Sequence, residues 1–292
     1  MSNATSKRLH TYELTLRELQ ESDIDKLHQL SVGVRWPHRP ADWQMLLRLG
    51  KGFAGCDKIG RIVGSAMWFP MGEDFATTGM VITSPRLQAQ GGGRWLMNHV
   101  MEQCHDRRLQ VNVPQAAYRL YHALGFKPVA TVVQYQGEAI DPGEVAVPTG
   151  AKLRPLEAAD LAEISRLDEI AFGADRSAIL AELLAHSDGM ALERDGRIAG
   201  FSLCRKFGRG HVIGPLVATD SDDAIALAAP HAAKHAGHFL RLDTARPEEA
   251  FAAFIKRCGL SEFDRVTTMS LPARPQVDTE MHTFALASHT LG

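Results

Sequence analysis

QAQGGGRWLM, residues 88–97, sets three consecutive glycines, Gly91, Gly92 and Gly93, directly before a run with helical character. Glycine there costs backbone order and packs against nothing, so a triplet at a helix start calls for a reason. A helix N-terminus carries unpaired N–H groups and the positive end of the dipole, and it attracts anions. A loop stripped of side chains lets a phosphate reach those N–H groups. A glycine-rich turn that holds no ligand would show the same spacing. Two other phosphate-binding patterns are excluded: no G-K-[ST] follows, and no G-x-G-x-x-G is followed by a ribose-binding acid.

Working outward from the loop, the strand-like FATTGMVIT (75–83) precedes it, after a hairpin whose second strand holds GRIVGSAMWF. The helix RWLMNHVMEQC, the strand LQVNV, the helix QAAYRLYHAL and a closing pair of strands to about Gln136 follow. Upstream, an extended segment Tyr12–Arg17 leads into helices around 23–31 and 41–49, with Asp23 and Asp42 as early helix carboxylates. This order then repeats. Leu16, Arg17, Leu19 and Asp23 recur as Leu153, Arg154, Leu156 and Asp160, GRIVG at 60–64 recurs as GRIAG at 196–200, and Gly125 has its counterpart in Gly259. Three matches in one order at nearly one offset predict two copies of a single α/β fold. The expected domains are 8–138 and 151–292, joined by the Pro- and Gly-rich linker AIDPGEVAVPTG at 139–150.

The motif Q-x-x-G-x-G in Gln88, Gly91 and Gly93, with YHALGF some thirty residues on, resembles the GCN5-related N-acetyltransferase (GNAT) superfamily over residues 12–136. The resemblance implies two tandem GNAT-like domains, each a mixed, mostly antiparallel sheet flanked by helices. It implies acetyl-CoA as cosubstrate, with Val81, Ile82 and Thr83 offering backbone groups to the pantetheine arm. Gln88, Ala89, Gln90, Gly91, Gly92, Gly93 and Arg94 would hold the pyrophosphate. Tyr121, four residues before Gly125, matches the family tyrosine that protonates the departing CoA thiolate. Transfer from a thioester to an amine requires such a proton, and a phenol is close to a thiolate in basicity once both are desolvated. Tyr118, one turn earlier, is read as packing or a CoA contact.

Glu73 and Asp74 are read either as an acceptor-side base or as turn residues. WPHRPADW (36–43) is read either as an acceptor wall of Trp36, His38, Arg39 and Trp43 or as core anchors with Asp42 as a cap.

In the second half, no glycine loop follows GPLVATD. Asp220, Asp222 and Asp223 stand where a phosphate would need bare N–H groups, and Ile255 replaces the tyrosine. That copy is therefore expected to be a degenerate partner without CoA. His231 and His235 have metal-ligand spacing but no HExxH glutamate, and a solvated helix face is expected for them, with no metal. The C-terminal MHTFALASHTLG reads as an added strand or tail. Cys56, Cys104, Cys204 and Cys258 are read as buried structural thiols.

The bulk numbers admit a soluble two-domain protein: 292 residues, 45% hydrophobic, 23% charged, formal net charge −2. No basic run tracks a polyanion, no stretch reads as membrane-spanning, and the polar start lacks a signal peptide's apolar core, so a cytoplasmic location is expected. The leading expectation is an acetyltransferase acting on a small-molecule amine, without nucleic acid or membrane partners. The competing one is a non-catalytic acyl-CoA sensor.

Overall fold

The computed structural model describes residues 5–9, 12–273 and 279–292, which fold into two compact units. Residues 1–4, 10–11 and 274–278 lie outside the described residues.

The first unit takes residues up to Val111, Ala116–Lys127 and Met269–Ala273. Its strands are β1 (Ser6–Leu9), β2 (Tyr12–Glu18), β3 (Lys51–Cys56), β4 (Ile62–Met71), β5 (Phe75–Thr83) and β6 (Arg108–Pro114), of which the residues from Asn112 on count with the second unit. They lie side by side in that order, antiparallel except for the parallel pair β5–β6. Helices α1 (Ile24–Gly33) and α2 (Pro40–Leu49) separate β2 from β3. Helix α3 (Gly92–Gln103) crosses from β5 to β6, and α4 (Tyr118–Ala123) follows. Trp43, Phe69, Leu27 and Met97 are fully buried in its core. Helix α2 starts where Pro40 presets φ at N1 and Asp42 turns back to accept the Arg39 N–H at 2.7 Å.

The second unit runs β7 (Lys127–Glu138), β8 (Ala151–Pro155), α5 (Leu161–Phe172), α6 (Ser177–Ala185), β9 (Ser187–Arg194), β10 (Arg197–Phe207) and β11 (Gly210–Ala218). It continues with α7 (Ser221–Lys234), β12 (Phe239–Thr244), α8 (Glu249–Arg257), β13 (Ser261–Leu271) and β14 (His282–Ala285). The sheet order is β13-β7-β12-β11-β10-β9-β8, with β11–β12 parallel. Leu216, Leu227, Phe251 and Phe284 centre its core.

The repeat has a physical basis. Arg17 makes a two-pronged ion pair with Asp23 at 2.7 Å, and Arg154 does the same with Asp160 at 2.7 and 2.9 Å. Each aspartate also accepts the backbone N–H three residues earlier, from Gln20 or Glu157. The recurring Arg and Asp are thus one clamp, tying a first strand to the turn that launches a first helix. Removing one acid strands its arginine and a capped N–H. Asp23→Ala and Asp160→Ala are each expected to lower unfolding free energy by about 1–3 kcal/mol, read as an earlier urea midpoint at constant slope. An unchanged midpoint would refute the clamp.

Two expectations change. The closing pair of strands near Gln136 is one continuous strand, β7. Residues 128–138, counted in the sequence with the first half, pack in the second unit: β7 runs antiparallel to β12, Tyr135 opposite Leu242. Val132, Val133 and Tyr135 are buried there, and Gly137 leaves no room for a side chain against the Gly259 carbonyl. The linker at 139–150 has no regular structure, and its Ala139 and Ile140 N–H groups bond to His238 and Cys258 carbonyls of the second unit.

Candidate active site and cofactor cleft

β5 and β6 pair only from Phe75–Arg108 to Thr78–Val111, and beyond that point they part. The rest of β5, Gly79–Thr83, keeps β4 on one side and turns its other edge to the fork. A bulge marks the opening: the β4–β5 register shifts between Ser65 and Met67, Met80 takes φ +51°, and the Ser65 hydroxyl donates to the Met80 carbonyl at 2.7 Å. Sequence reading missed this bulge; only the strand pairing reveals it. Val81, Ile82 and Thr83 therefore line the fork edge, Ile82 buried and the other two half-buried.

The glycine loop lies just beyond. The Gln88 amide donates to the Thr83 carbonyl at 3.2 Å, fastening loop to strand, and Gln90 donates to Arg86 at 3.1 Å. Ala89 takes φ +61°, and Gly91 sits left-handed at φ +84° as the N-cap of α3. No side chain caps that helix and no carboxylate occupies its first turn, so its first-turn N–H groups have no side-chain acceptor from the helix start. A Cβ on Gly93 would meet a Leu120 methyl at 3.3 Å and the Thr83 hydroxyl at 3.7 Å. Gly93 thus lets α4 close on the loop, and it brings the end of β5, the start of α3 and α4 together.

Two cations attend the loop. Lys7 donates to the Gly91 carbonyl at 3.0 Å, and desolvation followed by the nearby Arg94 charge lowers its pKa. Lys7 comes from β1, far away in sequence, and no local spacing could have signalled it. Next to Leu120, Tyr121 is buried against Phe126 edge-on at 5.6 Å. Burial pushes its phenol well above its ordinary pKa, so it stays protonated.

The other sequence candidates separate. Glu73 and Asp74 are exposed in the β4–β5 turn, Asp74 pairing with Arg108 at 3.0 Å. That turn is at the far end of β5, roughly 26 Å of strand from Thr83, so the turn reading holds. Trp43 is a core residue whose indole donates to Ser31 at 2.8 Å, and Asp42 is the buried cap paired with Arg39. Trp36 and His38, ring centroids 5.7 Å apart, are half-buried.

In the second unit the corresponding helix, α7, is capped by its own acid: Asp220 accepts the Asp223 N–H at 2.9 Å, and Asp223 binds Arg194 at 2.6 Å. Ile255 is a core residue, with Gly259 at φ +80° mirroring Gly125 at φ +96°.

His231 and His235 are not on a solvated face; both are buried. The Ser202 hydroxyl donates to the Leu227 carbonyl, so the His231 Nε2–H donates to Ser202 at 2.9 Å, and this pair is a structural relay. His235 stacks on His211 with centroids 3.8 Å apart. Among the described residues no cluster of three or more His, Cys, Asp or Glu is placed to hold a metal. Desolvation lowers the pKa of His231 from 6.5 to about 4. The unfolded chain therefore takes up a proton between pH 6.5 and 4 that the folded chain refuses. Stability is full above 6.5 and falls as pH drops to 4, by about 3 kcal/mol for His231. Urea midpoints measured across that window should track it, and a flat profile would contradict the burial. The four cysteines are buried and unbridged, as read. Among the described residues no helix is long and apolar enough to cross a membrane.

Comparison with known proteins settles the family. Models of the acetyltransferase (GNAT) domain match residues 50–128 and, separately, 164–285, between them more than half of the chain. The chain belongs to the GCN5-related N-acetyltransferase superfamily. It is a tandem GNAT protein, with one GNAT match in each repeat. An uncharacterized N-acetyltransferase of Bacillus subtilis strain 168, YitH, is 24% identical over 95% of this chain and 98% of its own. A Pyrococcus horikoshii structure provisionally assigned as an acetyltransferase has TM-score 0.80 at 17% identity, covering 96% of both chains. A tandem GNAT protein from the clavulanic acid biosynthesis pathway has TM-score 0.65 at 17% identity, covering 90% of this chain and all of its own. These structural likenesses establish the GNAT fold.

Proposed function

We propose that the first unit transfers an acetyl group from acetyl-CoA to the amine of a small molecule, and that the second unit does not bind the cofactor. One contrast carries this reading: two homologous helix starts, of which α3 is bare and flanked by Lys7 and Arg94, while α7 is closed by Asp220 and Asp223. A pyrophosphate is attracted to the first and repelled by the second. In the fork, Val81–Thr83 would bond the pantetheine amides along the open edge of β5. Gln88–Arg94 would hold the pyrophosphate. The thioester would then lie towards α4, where the amine adds to the carbonyl and the C–S bond breaks as Tyr121 gives its proton to the departing sulfur. The amide forms as the nitrogen's surplus proton is lost to solvent, from which the phenolate is reprotonated.

Calorimetric titration with acetyl-CoA tests the binding half. One site per chain is expected, two would refute the silent second unit, and none would end the acetyltransferase reading. A panel of amines, followed by CoA thiol release, tests the transfer. Binding without turnover on any amine would favour a sensor.

A further inference from the structure

The second unit keeps the fork of the first. β11 pairs with β12 only from His211–Leu240 to Ile213–Leu242, and the β10–β11 register then shifts between Ser202 and Cys204. Here, however, the space is filled by the chain itself. β14 enters antiparallel to β11, with Leu216 opposite Ala285 and Ala218 opposite His282, and the Leu286 N–H bonds across to the Asp243 carbonyl of β12 at 2.9 Å. The inserted strand is thus hydrogen-bonded on both sides.

The turn that follows the strand, closed by hydrogen bonds between Ala287 and Gly292 and between Gly292 and Ser288, is also gripped by side chains remote in sequence. Arg205, buried on β10, donates to the Ala287 carbonyl at 2.8 Å, and Asn112 donates to that of His289 at 2.9 Å. Arg176 donates to main-chain oxygens of Leu291 and Gly292 at 3.1 and 2.8 Å. Arg176 is itself wholly buried, held in a two-pronged pair with buried Asp168 at 2.6 and 2.8 Å and lying over the Phe172 ring. A buried ion pair is a costly way to fasten a loop, because both charges lose water. Here the arginine's Nη1 donors both point at main-chain oxygens. Asn112 in turn accepts from the Thr268 hydroxyl at 2.6 Å. Gly214, on the wall, has no room for a Cβ against the Leu286 carbonyl.

Donors aimed at carbonyls, ladder bonds on two edges and a glycine that admits a backbone are the features of strand recognition by β-augmentation. We infer that the fork between β11 and β12 is a peptide-strand slot, occupied in cis by residues 282–286, with the turn at 287–292 anchoring the end of that strand. Its ligand class is an extended polypeptide, read through the main chain, with Phe284 filling the apolar floor beside Phe251 at 5.2 Å. The slot stands independently of the acetyltransferase reading.

The test uses the full chain with a protease recognition sequence in place of residues 274–278. After cleavage and gel filtration, native mass spectrometry should find the 279–292 fragment still bound, one per chain. A labelled synthetic peptide of that sequence should exchange in, and one N-methylated at Leu286 should bind at least ten-fold more weakly. Loss of the fragment from a chain that stays folded, or equal uptake of a scrambled peptide, would overturn the proposal. If the altered chain does not fold, hydrogen exchange on the unaltered protein decides: Ala285 and Leu286 amides protected like those of β11 support the slot, and exchange at the rate of a free tail refutes it. Acetyl-CoA titration of the cleaved protein reports separately on the first unit.

Discussion

Gly91→Asp should abolish acetyl-CoA binding, weakening it at least 100-fold, or about 2.7 kcal/mol. Two effects add. At φ +84° a side chain is strained by about 1 kcal/mol. The larger effect is charge: a Cβ at this position is 3.2 Å from the Lys7 ammonium, so the new carboxylate would pair with Lys7 and put a negative charge where the proposed pyrophosphate would bind. Gly91→Ala separates the two, since it keeps the strain without the charge, and it should cost ten-fold or less. Calorimetry on both variants reads the difference. Equal losses would mean that backbone geometry, not anion attraction, shapes the loop, and normal binding in Gly91→Asp would remove the pyrophosphate from α3 altogether.

Tyr121→Phe should lower kcat by about 10²–10³-fold while the Kd for acetyl-CoA moves less than three-fold. The substitution keeps the ring that packs on Phe126 and removes only the hydroxyl. Because burial raises the phenol's pKa, the wild-type rate should show no alkaline limb from tyrosine ionisation until well above the phenol's ordinary value near 10. Matched loss of binding and rate would recast Tyr121 as a packing residue of α4. Unchanged kcat would mean that water protonates the leaving sulfur.

The local parts of this molecule were legible in the sequence. The FATTGMVIT strand matches β5 residue for residue, the glycines open α3 as expected, and the recurring Arg and Asp of each half form the same clamp. Each depends on residues within one or two turns of chain, where periodicity and capping chemistry act. What escaped was non-local. Nothing in the alternation of β7 names β12 as its partner, and Lys7 reaches Gly91 across more than eighty residues. The histidines of α7 mislead for a related reason: HAAKH looks solvated until Ser202, on another strand, supplies the partner that makes burial tolerable. The polar side chains that hold the tail, Asn112, Arg176 and Arg205, carry no motif, and only Arg176 with Asp168 near apolar helix faces hints at buried charge.

The division of the chain has a consequence for how the protein is made. The first unit includes Met269–Ala273, and β7 completes the sheet of the second. A ribosome that has finished the first repeat has therefore released a unit still lacking a piece encoded near the far end, and a strand whose partner β12 does not yet exist. Neither unit can reach its final form until nearly all of the chain has emerged. Expressing the repeats apart by cutting at residues 139–150 would leave β7 with bare edge donors, a template for aggregation rather than two working halves.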